Sequence, residues 1–108
     1  MSDLTFDTLR AATVARQPCF ETRGMPSFCL GQWSNATLGE LGEAANIIKK
    51  IERGDFTLEE ARPALAKEFA DVAIYLDLLS WQAGVNLGEA VRSKFNEVSE
   101  RIEADVRI

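Results

Sequence analysis

Gly39-Glu40-Leu41-Gly42-Glu43-Ala44-Ala45-Asn46 and Glu68-Phe69-Ala70-Asp71-Val72-Ala73-Ile74-Tyr75-Leu76 each set two carboxylates at i and i+3 beside an apolar stripe. Side chains three apart lie on adjacent turns of one helix face. Glu40 and Glu43 border Leu38, Leu41 and Ala44, while Glu68 and Asp71 border Leu65, Phe69 and Val72. Two antiparallel helices can therefore present four carboxylates toward one another. In a partly dehydrated cleft such charges repel, and either protons or cations must relieve them. A ligand set of oxygen alone suits Mg²⁺ or Mn²⁺ rather than zinc. Gly39 and Gly42 each cost a helix about 1 kcal/mol against alanine, so their places beside the glutamates point to a need for space.

Working outward, the chain reads as helices joined by short links and one long loop. Leu4, Leu9, Ala12 and Ala15 give a first helix over about 4–16, which Pro18 stops. Pro18, Gly24, Pro26, Ser27 and Gly31 make 17–33 a loop, yet one rich in Phe20, Met25, Phe28, Leu30 and Trp33. A loop of that composition should pack on helices or line a pocket. Ser34 starts a second helix that runs to about Arg53, with Gly54 at the position after the cap.

Thr57-Leu58-Glu59-Glu60 is a capping box. Pro63 either sits in a first turn or divides a short helix from a long one, which then runs from about Ala64 to Ala83 and closes at Gly84. A fourth helix follows Asn86 to about Ala104, with Val91, Phe95, Val98 and Ile102 on one face. No segment shows the period of a strand, and no repeat of 20–50 residues is present. The expected architecture is all-α and four-helix-bundle-like, a single domain over 1–108.

Composition narrows the chemistry. The formal charge is −5, which lacks the basic footprint of a duplex-binding protein, and an acidic chain handling a polyanion needs a cation between them. There is no histidine, so Ser-His and Cys-His couples and imidazole ligands are excluded. Cys19 and Cys29 have no zinc spacing and read as reduced thiols. The first residues carry no signal-peptide pattern, and no apolar run approaches the roughly 18 residues of a membrane span, so the expected location is cytoplasmic.

The paired motifs, E-x-x-E then E-x-x-D with 24 residues between Glu43 and Glu68, resemble the signature of the MazG-like all-α nucleoside triphosphate pyrophosphohydrolases. That family is related to the dimeric dUTPases and dCTP pyrophosphatases. The likeness covers about residues 33–102 and continues through Ser93-Lys94-Phe95-Asn96 to Arg101, similar to the family's K-x-N segment. It implies a Mg²⁺ site of Glu40, Glu43, Glu68 and Asp71. It also implies hydrolysis between the α and β phosphates, releasing pyrophosphate, with Glu40 or Glu43 accepting the proton of the attacking water. Self-association as a homodimer or homotetramer is implied too.

Lys94 and Arg101 are the matched phosphate-binding candidates, with Lys49, Lys50 and Arg53 beside them. Trp33, Tyr75, Asn46 and Asn96 are the candidates for holding base and sugar, with Phe28 behind them. A nucleic-acid polymer or membrane partner is not expected. The competing reading is a helical interaction or nucleotide-binding module without turnover, in which the acidic cluster is only a charged surface.

Overall fold

A computed structural model of the protein describes residues 3–24 and 27–108. It has four helices, and no strand among the described residues: α1 (Phe6–Thr22), α2 (Leu30–Glu52), α3 (Leu58–Gln82) and α4 (Leu87–Arg101). None is long and apolar enough to cross a membrane.

Local chemistry sets most boundaries. Thr5 and Thr8 satisfy one another's backbone amides at the start of α1, and Thr57 and Glu60 do the same for α3. The Asn86 side chain accepts from the Glu89 amide at the start of α4. α2 and α3 both end with a glycine in the left-handed region, Gly54 at φ 88° and Gly84 at φ 71°. After each, the next amide reaches back to a free carbonyl of the last turn, Asp55 to Lys50 and Val85 to Ser80.

Four expected boundaries move. Pro18 does not stop α1, which continues to Thr22. Its missing amide costs about 3 kcal/mol in a helix interior. However, the inward stripe of Leu9, Thr13, Gln17 and Phe20 runs through it at helical spacing, so tertiary contact carries the helix onward. α2 begins at Leu30 and not at Ser34, whose hydroxyl donates to the Gly31 carbonyl from inside the helix. The expected loop therefore shrinks to the link between α1 and α2, of which Met25 and Pro26 lie outside the described residues. Pro63 divides nothing, since α3 is one helix of 25 residues. α4 ends at Arg101, short of Ala104, as Glu103 turns left-handed at φ 58°.

α2 and α3 form an antiparallel hairpin, and α2 packs on α3 alone. α1 lies along α3 and touches α4. The arrangement is more open than a closed bundle: its radius of gyration is 16.8 Å, against about 13 Å for a compact chain of this length. Few apolar side chains are buried, chiefly Trp33, Ala44, Ala61, Leu65 and Leu78. Leu38, at 67% exposure, and Leu41, Phe69 and Phe95 stand in solvent.

One ion pair fastens α1. Asp77, with 0% exposure, accepts from Arg10 Nε at 3.0 Å, and Arg10 Nη2 also donates to the Val85 carbonyl at 3.1 Å. Arg10 thus binds α1 to both α3 and the link into α4. Removing one partner of a buried pair strands the other charge. Arg10→Met should lower stability by about 3 kcal/mol in urea titration. Arg53→Met, which breaks the exposed pair with Asp55, should change it by less than about 1 kcal/mol.

Candidate metal centre and adjoining cavity

The hairpin register brings the carboxylates together. Glu43 and Glu68, and likewise Glu40 and Asp71, stand at matching distances along the chain on either side of the Asp55-Phe56 turn. At a rise of about 1.5 Å per residue in both helices, such pairs end up opposite one another. Glu40, Glu68 and Asp71 each place a carboxylate oxygen within 4.8 Å of the others. Glu43 lies outside that trio yet close enough to Glu40 and Glu68 to bear on their ionisation.

The electrostatics of the cluster are unfavourable. Burial, then contact with the Glu40 and Glu43 carboxyls and their charges, pushes Glu68 up to about 7. Glu40 is raised as well, chiefly by burial and then by the charges of Glu43 and Asp71, although contact with Glu68 works in the other direction. Glu68 Oε2 is buried with no hydrogen-bond partner among the described residues. An orphaned carboxylate oxygen among other carboxylates fits a hard divalent cation, whose ligands are oxygens. Glu40, Glu68 and Asp71 are the residues that fit such an ion.

Beside Asp71 opens a cavity of about 320 Å³. Trp33 and Tyr75 line it with ring centroids 6.0 Å apart, and Phe28 meets Trp33 edge-on at 4.9 Å. Trp33 is only 7% exposed. Tyr75 is raised by burial and then by the charges of Glu40, Asp71 and Glu43, which marks how near its hydroxyl is to the cluster. The far wall comes from α1, as Arg16, Gln17 and Phe20.

Phe20 lines the cavity as expected of that aromatic stretch, whereas Arg16 and Gln17 are not among the expected site residues, because Pro18 reads locally as a helix end. The signal was present: Arg16 and Phe20 are four apart, one turn of a continuing helix, and the Arg16 guanidinium lies 5.4 Å from the Phe20 ring centroid.

The other expected residues are distributed differently. Asn46 lines a shallow depression on α2 with Gly39, Gly42, Glu43 and Lys49, away from the aromatic cavity. Among the described residues no neighbour approaches within 4 Å of where a Cβ on Gly39 or Gly42 would stand, so packing among them does not require those glycines. Lys50 is seven residues on from Glu43, on the same face and about 10 Å along the helix. Arg53 bonds Asp55 through Nη2 at 2.6 Å. Lys94 pairs with Glu97 at 2.9 Å. Asn96 is bonded twice to the chain's end, donating to the Ile108 carbonyl at 2.9 Å and accepting from its amide at 3.0 Å. Neither Lys94, Asn96 nor Arg101 lines the cavity or joins the carboxylate trio. Cys19 and Cys29 are both free and exposed.

Comparison with known proteins adds no relative: no family model, curated protein or solved structure matches the chain.

The raised carboxyls fix a sign for pH dependence. Folded, Glu68 keeps a proton up to about pH 7, whereas in the unfolded chain it releases it near 4.5, so the folded protein binds more protons in between. Metal-free protein should therefore lose stability as pH rises through that window. Added Mg²⁺ should raise the melting temperature more above pH 7 than below 4.5, since only the deprotonated cluster is free to bind it. Glu68→Gln should flatten the pH dependence of the metal-free melting temperature and reduce the response to Mg²⁺.

Proposed function

We propose that the protein is a Mg²⁺-dependent nucleoside triphosphate pyrophosphohydrolase of the MazG-like kind, acting in the cytoplasm as a homo-oligomer. The observation that carries this reading is the junction of two sites. Three carboxylate oxygens lie within 4.8 Å of one another, and one of their residues, Asp71, also lines an aromatic cavity. A cation cluster adjoining a slot for a flat ring suits a ligand with a polyphosphate at one end and a base at the other.

Glu40, Glu68 and Asp71 would hold the ion. Bound Mg²⁺ there supplies charge neutralisation for the phosphates and lowers the pKa of coordinated water. Glu43, nearby but outside the trio, is the residue we assign to accept the proton as water attacks the α phosphorus. The new bond is P–O from water, the bond broken joins the α phosphorus to the bridging oxygen, and pyrophosphate leaves with that oxygen. Trp33 and Tyr75 orient the nucleoside by stacking and keep bulk water from that end.

Self-association is supported by what the single chain leaves uncovered. Leu38, Leu41 and Ile48 of α2 are exposed, and the space beside Gly39 and Gly42 is open to a close neighbour. Lys94 and Arg101 neither line the cavity nor join the carboxylate trio of their own chain, so a phosphate role for them would call for a second copy.

The test is incubation with Mg²⁺ and each common deoxynucleoside triphosphate. Nucleoside monophosphate and pyrophosphate should appear in equal amounts, and orthophosphate alone would refute the reading. Glu43→Gln and Asp71→Asn should each lower turnover on the order of 100-fold or more with helical circular dichroism unchanged.

A further inference from the structure

The far wall of the cavity has a chemistry of its own, supplied by α1. Phe20 holds the Arg16 guanidinium against that wall, 5.4 Å from its ring centroid. Arg16 forms no ion pair among the described residues, so its planar set of N–H donors is not committed to a carboxylate. Gln17, half-buried beside it, adds an amide that can both donate and accept. The acid on the cavity wall, Asp71, belongs to the carboxylate cluster. The wall from α1 therefore pairs one obligate donor with one adaptable amide.

Bases divide on this chemistry. Guanine, hypoxanthine, uracil and thymine carry a ring oxo group beside a ring N–H. Such an oxo group can accept from a guanidinium like that of Arg16, and the N–H can donate to an amide oxygen like that of Gln17. Adenine and cytosine present an exocyclic amino group in place of the oxo. A guanidinium has no acceptor to offer that group, so donor faces donor at that edge. The same logic makes arginine a reader of guanine and not of adenine in the major groove.

We propose that Arg16 and Gln17 select nucleotides whose base carries a ring oxo group beside a ring N–H, against adenine and cytosine. This rests on the cavity being the base site of the preceding proposal.

Two matched substrate pairs isolate the edge: deoxyinosine against deoxyadenosine triphosphate, and deoxyuridine against deoxycytidine triphosphate, all with Mg²⁺. In the wild type, kcat/KM should favour the oxo member by about tenfold or more in at least one pair. The pair that shows it tells whether the cavity takes the larger or the smaller ring. In Arg16→Met that ratio should fall toward one, and Arg16→Lys, which keeps charge but not the planar fork, should fall with it.

Equal rates within both pairs would overturn the proposal. So would a uniform loss across all four substrates in Arg16→Met, which would mark a phosphate contact. A second arm uses nucleosides without phosphate or metal and reads quenching of Trp33 fluorescence in a Trp81→Phe background. Inosine or uridine quenching at lower concentration than adenosine or cytidine supports base reading, and equal or absent quenching refutes it. Absence of turnover with every triphosphate removes the enzyme reading alone, and the nucleoside arm then decides this one.

Discussion

Everything in this molecule is arranged around mutual repulsion at the middle of one helical hairpin. Glu40 and Glu68 are held beside Glu43 and Asp71 where α2 and α3 pack, and packing strips from Glu40 and Glu68 part of the water that would otherwise screen them. A chain selected for stability alone would carry apolar residues there, since the hairpin around them is already built from alanine, leucine and isoleucine. The hairpin instead keeps a group such as Glu68 that stays protonated to about pH 7 without a counter-ion. The turn after Gly54 gives that repulsion its geometry. Lengthening the 53–57 link by one residue would rotate the partners of Glu40 and Glu43 by about 100° off their face.

The remaining helices solve a different problem, which is to stand beside this hairpin without covering it. α1 reaches α3 through the Arg10–Asp77 pair, and the same face then carries Thr13, Gln17 and Phe20 toward the cavity. The anchor and the cavity wall are thus two ends of one helical stripe. This gives Asp77 a reason to be buried: a full charge at 0% exposure fixes the rotation of α1 in a way that an apolar contact would not. With Arg10 also bonded to the Val85 carbonyl, α1, α3 and the start of α4 are joined at one point.

How much of this could be read from the sequence follows from which features are local. The capping residues Thr57 and Asn86 and the closing glycines Gly54 and Gly84 act within a few residues, and the structure uses each as its chemistry dictates. The carboxylate pairs were legible too, because i, i+3 spacing and a short hairpin link fix who meets whom. What was hidden depended on tertiary contact. Pro18 looks like a stop locally and is overruled by the stripe on either side of it. Ser34 looks like a cap and bonds backward instead. Asn96 sits in a motif-like segment, yet its amide is taken up by Ile108, twelve residues away. Asp77 left a readable trace, a lone acid inside Ile74-Tyr75-Leu76-Asp77-Leu78-Leu79, but its arginine lies 67 residues distant in sequence.

This division has a consequence for how such a site changes over time. The carboxylates belong to a hairpin whose register is set by a link of a few residues, so their arrangement tolerates little alteration. The far wall of the cavity belongs to α1, a separate helix held by one ion pair and its own stripe, and the cavity adjoins the cluster through Asp71 and Tyr75. Exchanges at Arg16, Gln17 or Phe20 alter the wall without moving Glu40, Glu68 or Asp71. Under the proposed function, base selection and phosphate chemistry can therefore vary independently, the first by surface exchange on one helix and the second only by rebuilding the hairpin.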